Sequence, residues 1–146
     1  MDRALDQRMM RRAIAIARTR LGQTGDNPAV GCVIARGDEV LAEAATGVGG
    51  RPHAEEQALD LAGDATRGAT AYVSLEPCAE RSTGAPSCSE RLIAAGIGRV
   101  VIAGADPSVK ASGRGEARLR NAGIAVEASL LADEAEPLYA DYRRGL

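Results

Sequence analysis

The chain holds one histidine, His53, and three cysteines, Cys32, Cys78 and Cys88. His53-Ala54-Glu55 follows the turn Gly49-Gly50-Arg51-Pro52, and Glu76-Pro77-Cys78 follows directly on a predicted strand ending at Leu75. Cys88 comes after nine intervening residues. One imidazole and two thiolates supply three ligands to a tetrahedral Zn²⁺ and leave the fourth position open to water, the arrangement of a catalytic rather than a structural site. A single histidine excludes His-rich zinc sites and hydrolases that need a second one. A nucleophilic Cys–His pair stays open, but it leaves the second cysteine and Glu55 without a role.

Glu55 lies two residues beyond His53, so the two side chains do not share a direction on a helix. From the first helical turn its carboxylate can still reach a zinc-bound water, whose pKa falls toward roughly 7, and relay the proton to a leaving amine. Glu56, the neighbouring carboxylate, is expected to face solvent. Cys32 sits inside Val30-Gly31-Cys32-Val33-Ile34 and reads as core, since free cysteine packs as a small hydrophobe.

These residues need a scaffold, and the patterning supplies one. Leu5, Met9, Ala13 and Ile16 recur at helical spacing, and Gly22 to Pro28 is turn chemistry that ends this first helix. Residues 29–35 form a continuous apolar run, a buried strand paired through Arg36-Gly37-Asp38 with a second strand at 40–45. A helix is predicted over 54–62 and a strand over 69–75. Ser87 or Ser89 caps a helix running to Ala95 and stopped by Gly96. Short strands at 100–103 and 124–126 flank a helix near 116–121. A closing helix spans 131–142, with a bend expected at Pro137. Strands alternating with helices predict an α/β fold, a sandwich with a mixed, largely parallel central sheet. No domain boundary is visible, so residues 1–146 read as one domain.

Composition narrows the function classes. A 146-residue chain that is 45% hydrophobic and 26% charged is an ordinary globular domain. No run approaches the roughly 20 apolar residues of a bilayer span, and the N-terminus lacks a signal-peptide core. A cytoplasmic location with no membrane partner is the default. The net charge of −2, with no Trp or Phe and three Tyr, argues against a nucleic acid polymer and for a small-molecule substrate. An odd cysteine count without a secretory signal disfavours disulfides.

The zinc-deaminase signature is His-x-Glu followed by Pro-Cys-x-x-Cys, with the glutamate as general acid and base. This chain keeps His53-x-Glu55 and Pro77-Cys78 and lengthens the spacing to Cys88. Further segments complete the pattern: 27–34 (Asn-Pro-Ala-Val-Gly-Cys-Val-Ile), Pro52-His53-Ala54-Glu55, 68–78 ending in Glu76-Pro77-Cys78, 92–97, 100–103, Asp106-Pro107 and Gly113-Arg114-Gly115. Collinear over nearly the whole chain, they resemble the deaminase domain of the bifunctional riboflavin-biosynthesis enzymes, in the cytidine deaminase-like superfamily.

The resemblance implies a three-layer α/β/α fold and hydrolysis of an exocyclic amine on a diaminopyrimidinone ribotide, giving an aminouracil ribotide and ammonia. It implies Zn²⁺ on His53, Cys78 and Cys88, with Glu55 as proton shuttle. Asn27, the backbone N–H groups of Ala54 and Cys78, and a ribose- and phosphate-side loop holding Asp106 and Ser108 would hold the substrate. A homo-oligomer is also implied. The chain departs from the family at Ser108, where Asn is usual, and at Thr46, where a histidine near the substrate is common. The inter-cysteine loop is one residue longer and lacks the usual Gly-Arg/Lys-Thr-Pro-Pro run; Arg81 either replaces that cation or is simply solvated. No glycine-rich segment for a reductase is present, so no nicotinamide cofactor is expected. Two rival readings stand beside this one: deamination of another small base, nucleoside or metabolite, and a non-catalytic zinc-stabilised binding module. Intact Glu55 speaks against the latter.

Overall fold

Eleven backbone segments alternate along the chain in the computed structural model, which describes residues 2–79, 81, 84–106 and 113–144. Helix α1 (Arg3–Arg18) starts at Asp2, whose carboxylate accepts from Leu5 N at 3.2 Å, an N-cap that satisfies an otherwise orphaned donor. The hairpin strands β1 (Gly31–Arg36) and β2 (Glu39–Ala45) follow. Helix α2 (Ala54–Ala62), a 3₁₀ turn (Gly63–Thr66) and β3 (Thr70–Leu75) come next. Then α3 (Cys88–Ala94) leads to β4 (Arg99–Gly104), and α4 (Arg114–Asn121) to β5 (Ala125–Glu127); α5 (Ala132–Arg144) closes the chain, running through Pro137.

The sheet order is β2-β1-β3-β4-β5. β3, β4 and β5 run parallel because α3 and α4 cross back between them, whereas β1 is antiparallel to both neighbours. The sheet is therefore mixed, with its parallel half on the β5 side and the hairpin inserted against β3. Helices α1 and α5 pack together on one face, and α2, α3 and α4 in succession on the other. Both faces are covered, which explains why β1 and β3 are buried nearly along their length and why β1 reads as an unbroken apolar run.

The register of α1 differs from the sequence expectation. Met9 and Ala13 face the core as predicted, but with Asp6, Met10, Ile14 and Ala17 rather than Leu5 and Ile16, which lie half-buried at the margins. The stripe is a double row, and its close approach to the sheet is set by Gly31. A Cβ there would lie 1.9 Å from the Ala13 carbonyl oxygen. Asp6 is buried because Arg99 grips both its oxygens at 2.9 and 2.7 Å and Tyr72 donates to it at 2.7 Å.

The parallel strands β3 and β4 end, β2 ends and β1 begins on one edge of the sheet. The loops leaving that edge carry Thr46 after β2, Glu76 to Cys78 after β3 and Asp106 after β4. In open α/β sheets this carboxyl edge is where ligands bind.

Candidate functional site

Three elements deliver the metal-ligand candidates. His53 is the N-cap residue of α2, and its backbone N–H donates to the Glu56 carboxylate at 3.1 Å. Cys88 is the first residue of α3, whose N-terminus is closed by a Ser87–Glu90 capping box with Glu90 N to Ser87 Oγ at 3.2 Å. Cys78 is drawn onto that same N-terminus. Cys88 N donates to its sulfur at 3.3 Å, while Ser89 donates to its carbonyl oxygen from N at 3.1 Å and from Oγ at 2.9 Å. The imidazole Nδ1 lies 3.2 Å from Cys88 Sγ, and one donor atom from each of the three residues falls within 4.8 Å of the others.

These distances fit a zinc ion. Zn–S bonds of about 2.3 Å and Zn–N bonds of about 2.0 Å place tetrahedral donors roughly 3.5–3.8 Å apart. The donor set of two thiols and an imidazole is the soft kind that zinc prefers. The electrostatics agree: the hydrogen bond from Cys88, opposed by burial and helped by His53, pulls the Cys78 thiol down to about 4. Its partner Cys88 is pushed up by that same contact and by its own burial. A bound cation would favour both thiols as thiolates, since metal binding displaces their protons. Among the described residues this is the one such cluster of three.

Glu55 is 4% exposed at the first turn of α2. Burial raises its carboxyl to about 7, against the opposing pull of His53. It opens into a cavity of about 150 Å³ shared with Asn27, Thr46, His53, Cys78, Arg81 and Asp106. Every substrate-side residue expected from the sequence thus falls on this one cavity, with two exceptions. Ala54 is fully buried beneath it at the start of α2, and Ser108 lies outside the described residues. Cys32 is fully buried on β1, as expected, with its thiol raised chiefly by that burial.

The wall residues are held individually. The Asn27 amide donates to Gly50 O at 3.0 Å, across a glycine with φ of 102°, where a Cβ would come 2.7 Å from Asn27 Nδ2. Only glycine tolerates both that conformation and that approach. Thr46 does not reach outward as a histidine would; its hydroxyl accepts from Val30 N at 2.9 Å and fixes the strand entering β1. Asp106 accepts from the Tyr142 hydroxyl at 3.1 Å.

Sequence reasoning missed three polar wall residues. Glu76 is 5% exposed and organises the β4 edge, accepting from Gly113 N at 3.0 Å, Glu116 N at 3.1 Å and, more weakly, Asp106 N at 3.4 Å. It thereby caps α4, and Gly115 of that helix packs so tightly that a Cβ would lie 1.9 Å from Pro77 O. The Glu-Pro-Cys order was the available signal. Arg51 and Tyr142 also line the cavity; Arg51 stood in plain view beside His53, but nothing local marks Tyr142, which arrives from α5.

One expectation is corrected and one reading of Arg81 is excluded. Glu56 does not face solvent: its side chain is 15% exposed and pairs with Arg81 at 2.9 Å and Arg91 at 3.6 Å. The cause is the helix start, which turns the third helical residue back over the N-cap. Arg81 is not solvated either, at 7% exposure.

Comparison with known proteins extends these observations. The family profile described as "Cytidine and deoxycytidylate deaminase zinc-binding region" matches residues 3–104. The riboflavin biosynthesis protein RibD of Escherichia coli is 45% identical over 133 residues, covering 91% of this chain and 36% of that protein. The diaminohydroxyphosphoribosylamino-pyrimidine deaminase of Buchnera aphidicola subsp. Acyrthosiphon pisum is 42% identical, covering 87% of this chain and 86% of that protein. The solved Acinetobacter baumannii RibD, form 2, superposes with a TM-score of 0.93 at 41% identity, over 99% of this chain and 41% of that one. The chain thus spans a little over a third of the RibD relatives and most of the shorter deaminase. No described helix is long and apolar enough to cross a membrane. By its sequence, its fold and the pattern of its histidine and cysteines, the chain belongs to the cytidine and deoxycytidylate deaminase zinc-binding family, among its diaminohydroxyphosphoribosylaminopyrimidine deaminases.

Proposed function

We propose that residues 1–146 form one zinc-dependent deaminase domain that hydrolyses the exocyclic amine of a diaminopyrimidinone ribotide, releasing ammonia. The observation that carries this reading is a buried carboxylate, Glu55, opening into the same cavity as His53 and Cys78, two members of a three-donor cluster completed by the buried Cys88. A zinc ion held by these three would supply, at its open position, a water acidic enough to lose a proton near neutral pH.

Glu55 then does the proton work. Its carboxyl, raised to about 7 by burial, sits where a group can both accept and return a proton at neutral pH. It takes one proton from the attacking water, delivers it to the ring nitrogen, and passes the second to the amine, which leaves as ammonia while the carbon keeps the oxygen. Water plus N=C–NH₂ becomes HN–C=O plus NH₃, and Glu55 ends as it began. Asn27, with its amide fixed on Gly50 O, and the first-turn N–H of Ala54 hold the pyrimidine edge. Thr46 shapes that wall through the Val30 backbone. Asp106 and Ser108 take the ribose side, and Arg81 and Arg51 give the cavity two cations suited to an anionic substituent such as a ribotide phosphate.

The test is Glu55→Gln, which keeps shape but cannot accept a proton. Zinc stoichiometry should stay parental and substrate affinity nearly so, while ammonia release falls by roughly 10²-fold or more. A panel of aminopyrimidine ribotides, free bases and guanine assayed alongside identifies the preferred amine. Normal turnover by Glu55→Gln would sink the mechanism.

A further inference from the structure

Glu56 touches all three elements that build the metal-ligand cluster. Its Oε1 accepts from the His53 backbone at the start of α2 and lies 2.9 Å from Arg81 NH1, on the segment that follows Cys78. Its Oε2 lies 3.6 Å from Arg91 NH2, one helical turn beyond Cys88 in α3. The cap alone would need one oxygen and no particular charge. The second guanidinium and the depth of the first point to another role.

Arg81 is 7% exposed and lines the substrate cavity, and its Nε, also buried, has no acceptor among the described residues. A guanidinium in that position needs a fixed counter-charge to remain there. Glu56 is the carboxylate that meets it. The Glu56 position thus decides where the Arg81 fork points, and the residual donor capacity of Arg81 is what an incoming anion would find.

We propose that Glu56 is a positioning residue that clasps Arg81 in the cavity wall and so sets the preference for a phosphorylated over an unphosphorylated substrate. This rests on the reading of Arg81 given above. It makes Glu56, unlike Glu55, a determinant of affinity rather than of turnover.

The discriminating variant is Glu56→Gln, whose amide oxygen still accepts from His53 N but carries no charge. Steady-state kinetics on the ribotide and its dephosphorylated riboside should be measured with zinc content, for Glu56→Gln, Arg81→Gln and the double variant. With zinc retained, KM for the ribotide should rise about tenfold in each, the scale of one lost charge-assisted hydrogen bond. Turnover should stay within about twofold, the riboside should be unaffected, and the double variant should be no worse than Arg81→Gln alone, as for residues acting as one unit. Equal losses on both substrates, or additive effects, would overturn the clasp. Should Glu56→Gln not fold, Arg91→Gln removes the other arm and should show a smaller rise on the ribotide only; none would count against the proposal. Calorimetric binding of ribose 5-phosphate separates this idea from the deaminase reading. Weakened binding in Glu56→Gln of a protein that turns over neither substrate defeats the deaminase reading and leaves the clasp standing, whereas parental binding, or no binding by the parent, defeats the clasp.

Discussion

Removing the Glu76 carboxylate should loosen the β4 edge of the site without touching a metal ligand. Glu76 accepts from Gly113 N at 3.0 Å and Glu116 N at 3.1 Å, while the 3.4 Å contact to Asp106 N is too long to weigh much. Each bond to a buried carboxylate contributes about 1.5–3 kcal/mol, so losing two in Glu76→Ala should cost about 3 kcal/mol, with rehydration of the freed N–H groups holding it below about 5. Glu76→Gln keeps one acceptor oxygen and sets an NH₂ against the other donor, so roughly half the loss is expected. Urea unfolding of zinc-loaded protein gives the stability change at constant m. Because Asp106 borders the cavity and Glu76 caps the helix that follows its loop, KM should rise in both variants while zinc stays at parental stoichiometry. A loss under about 1 kcal/mol for the alanine variant, or an unchanged KM with the stability lost, would show that Glu76 does not organise the substrate side of the site.

Other outcomes follow from single contacts. Cys88→Ser should lower zinc content sharply by elemental analysis, because a hydroxyl is a poor zinc ligand beside a thiolate; full occupancy would remove Cys88 from the ligand set. Cys32→Ala should keep zinc and activity and cost about 1 kcal/mol of packing, and loss of metal from a folded variant would make Cys32 a ligand. The Asp6 carboxyl is held below its ordinary range chiefly by the Arg99 hydrogen bonds, against burial. Its folded pKa being depressed, the contribution is complete above the unfolded value near 3.9 and is lost as pH falls through the lower folded value. Asp6→Asn should therefore be destabilised by about 3 kcal/mol at neutral pH, the cost of unpairing a buried charge. Its deficit against the parent should shrink as pH is lowered below about 4; a deficit that stays constant in urea titrations across that range would refute the assignment.

Much of this protein is written locally. The α2 boundaries, a serine cap at the start of α3, the hairpin and the candidate metal donors all follow from residue types and local signals: turn glycines, a capping serine, an unbroken apolar run, and donor types that suit a cation. Cys32 could be separated from its two sisters because a cysteine in the middle of a β-branched run has nowhere to go but the core. Glu55 was legible as a candidate, since the role proposed for it depends on residue type and a two-residue offset.

What the tertiary structure decided are the contacts whose partners lie far along the chain. Asp6 on α1 is buried against all local expectation because Arg99 from β4 neutralises it and Tyr72 from β3 donates to it. Tyr142 enters the site because α5 packs across β4 and brings the phenol to Asp106. Glu56 and Glu55 are adjacent glutamates with the same local surroundings, yet one opens into the cavity and the other turns back onto two arginines. Residue pattern specifies which groups can do chemistry, because chemistry is a property of the side chain. Where each charge points depends on which distant counter-charge the fold brings within reach, since a buried carboxylate is held in place by its partner.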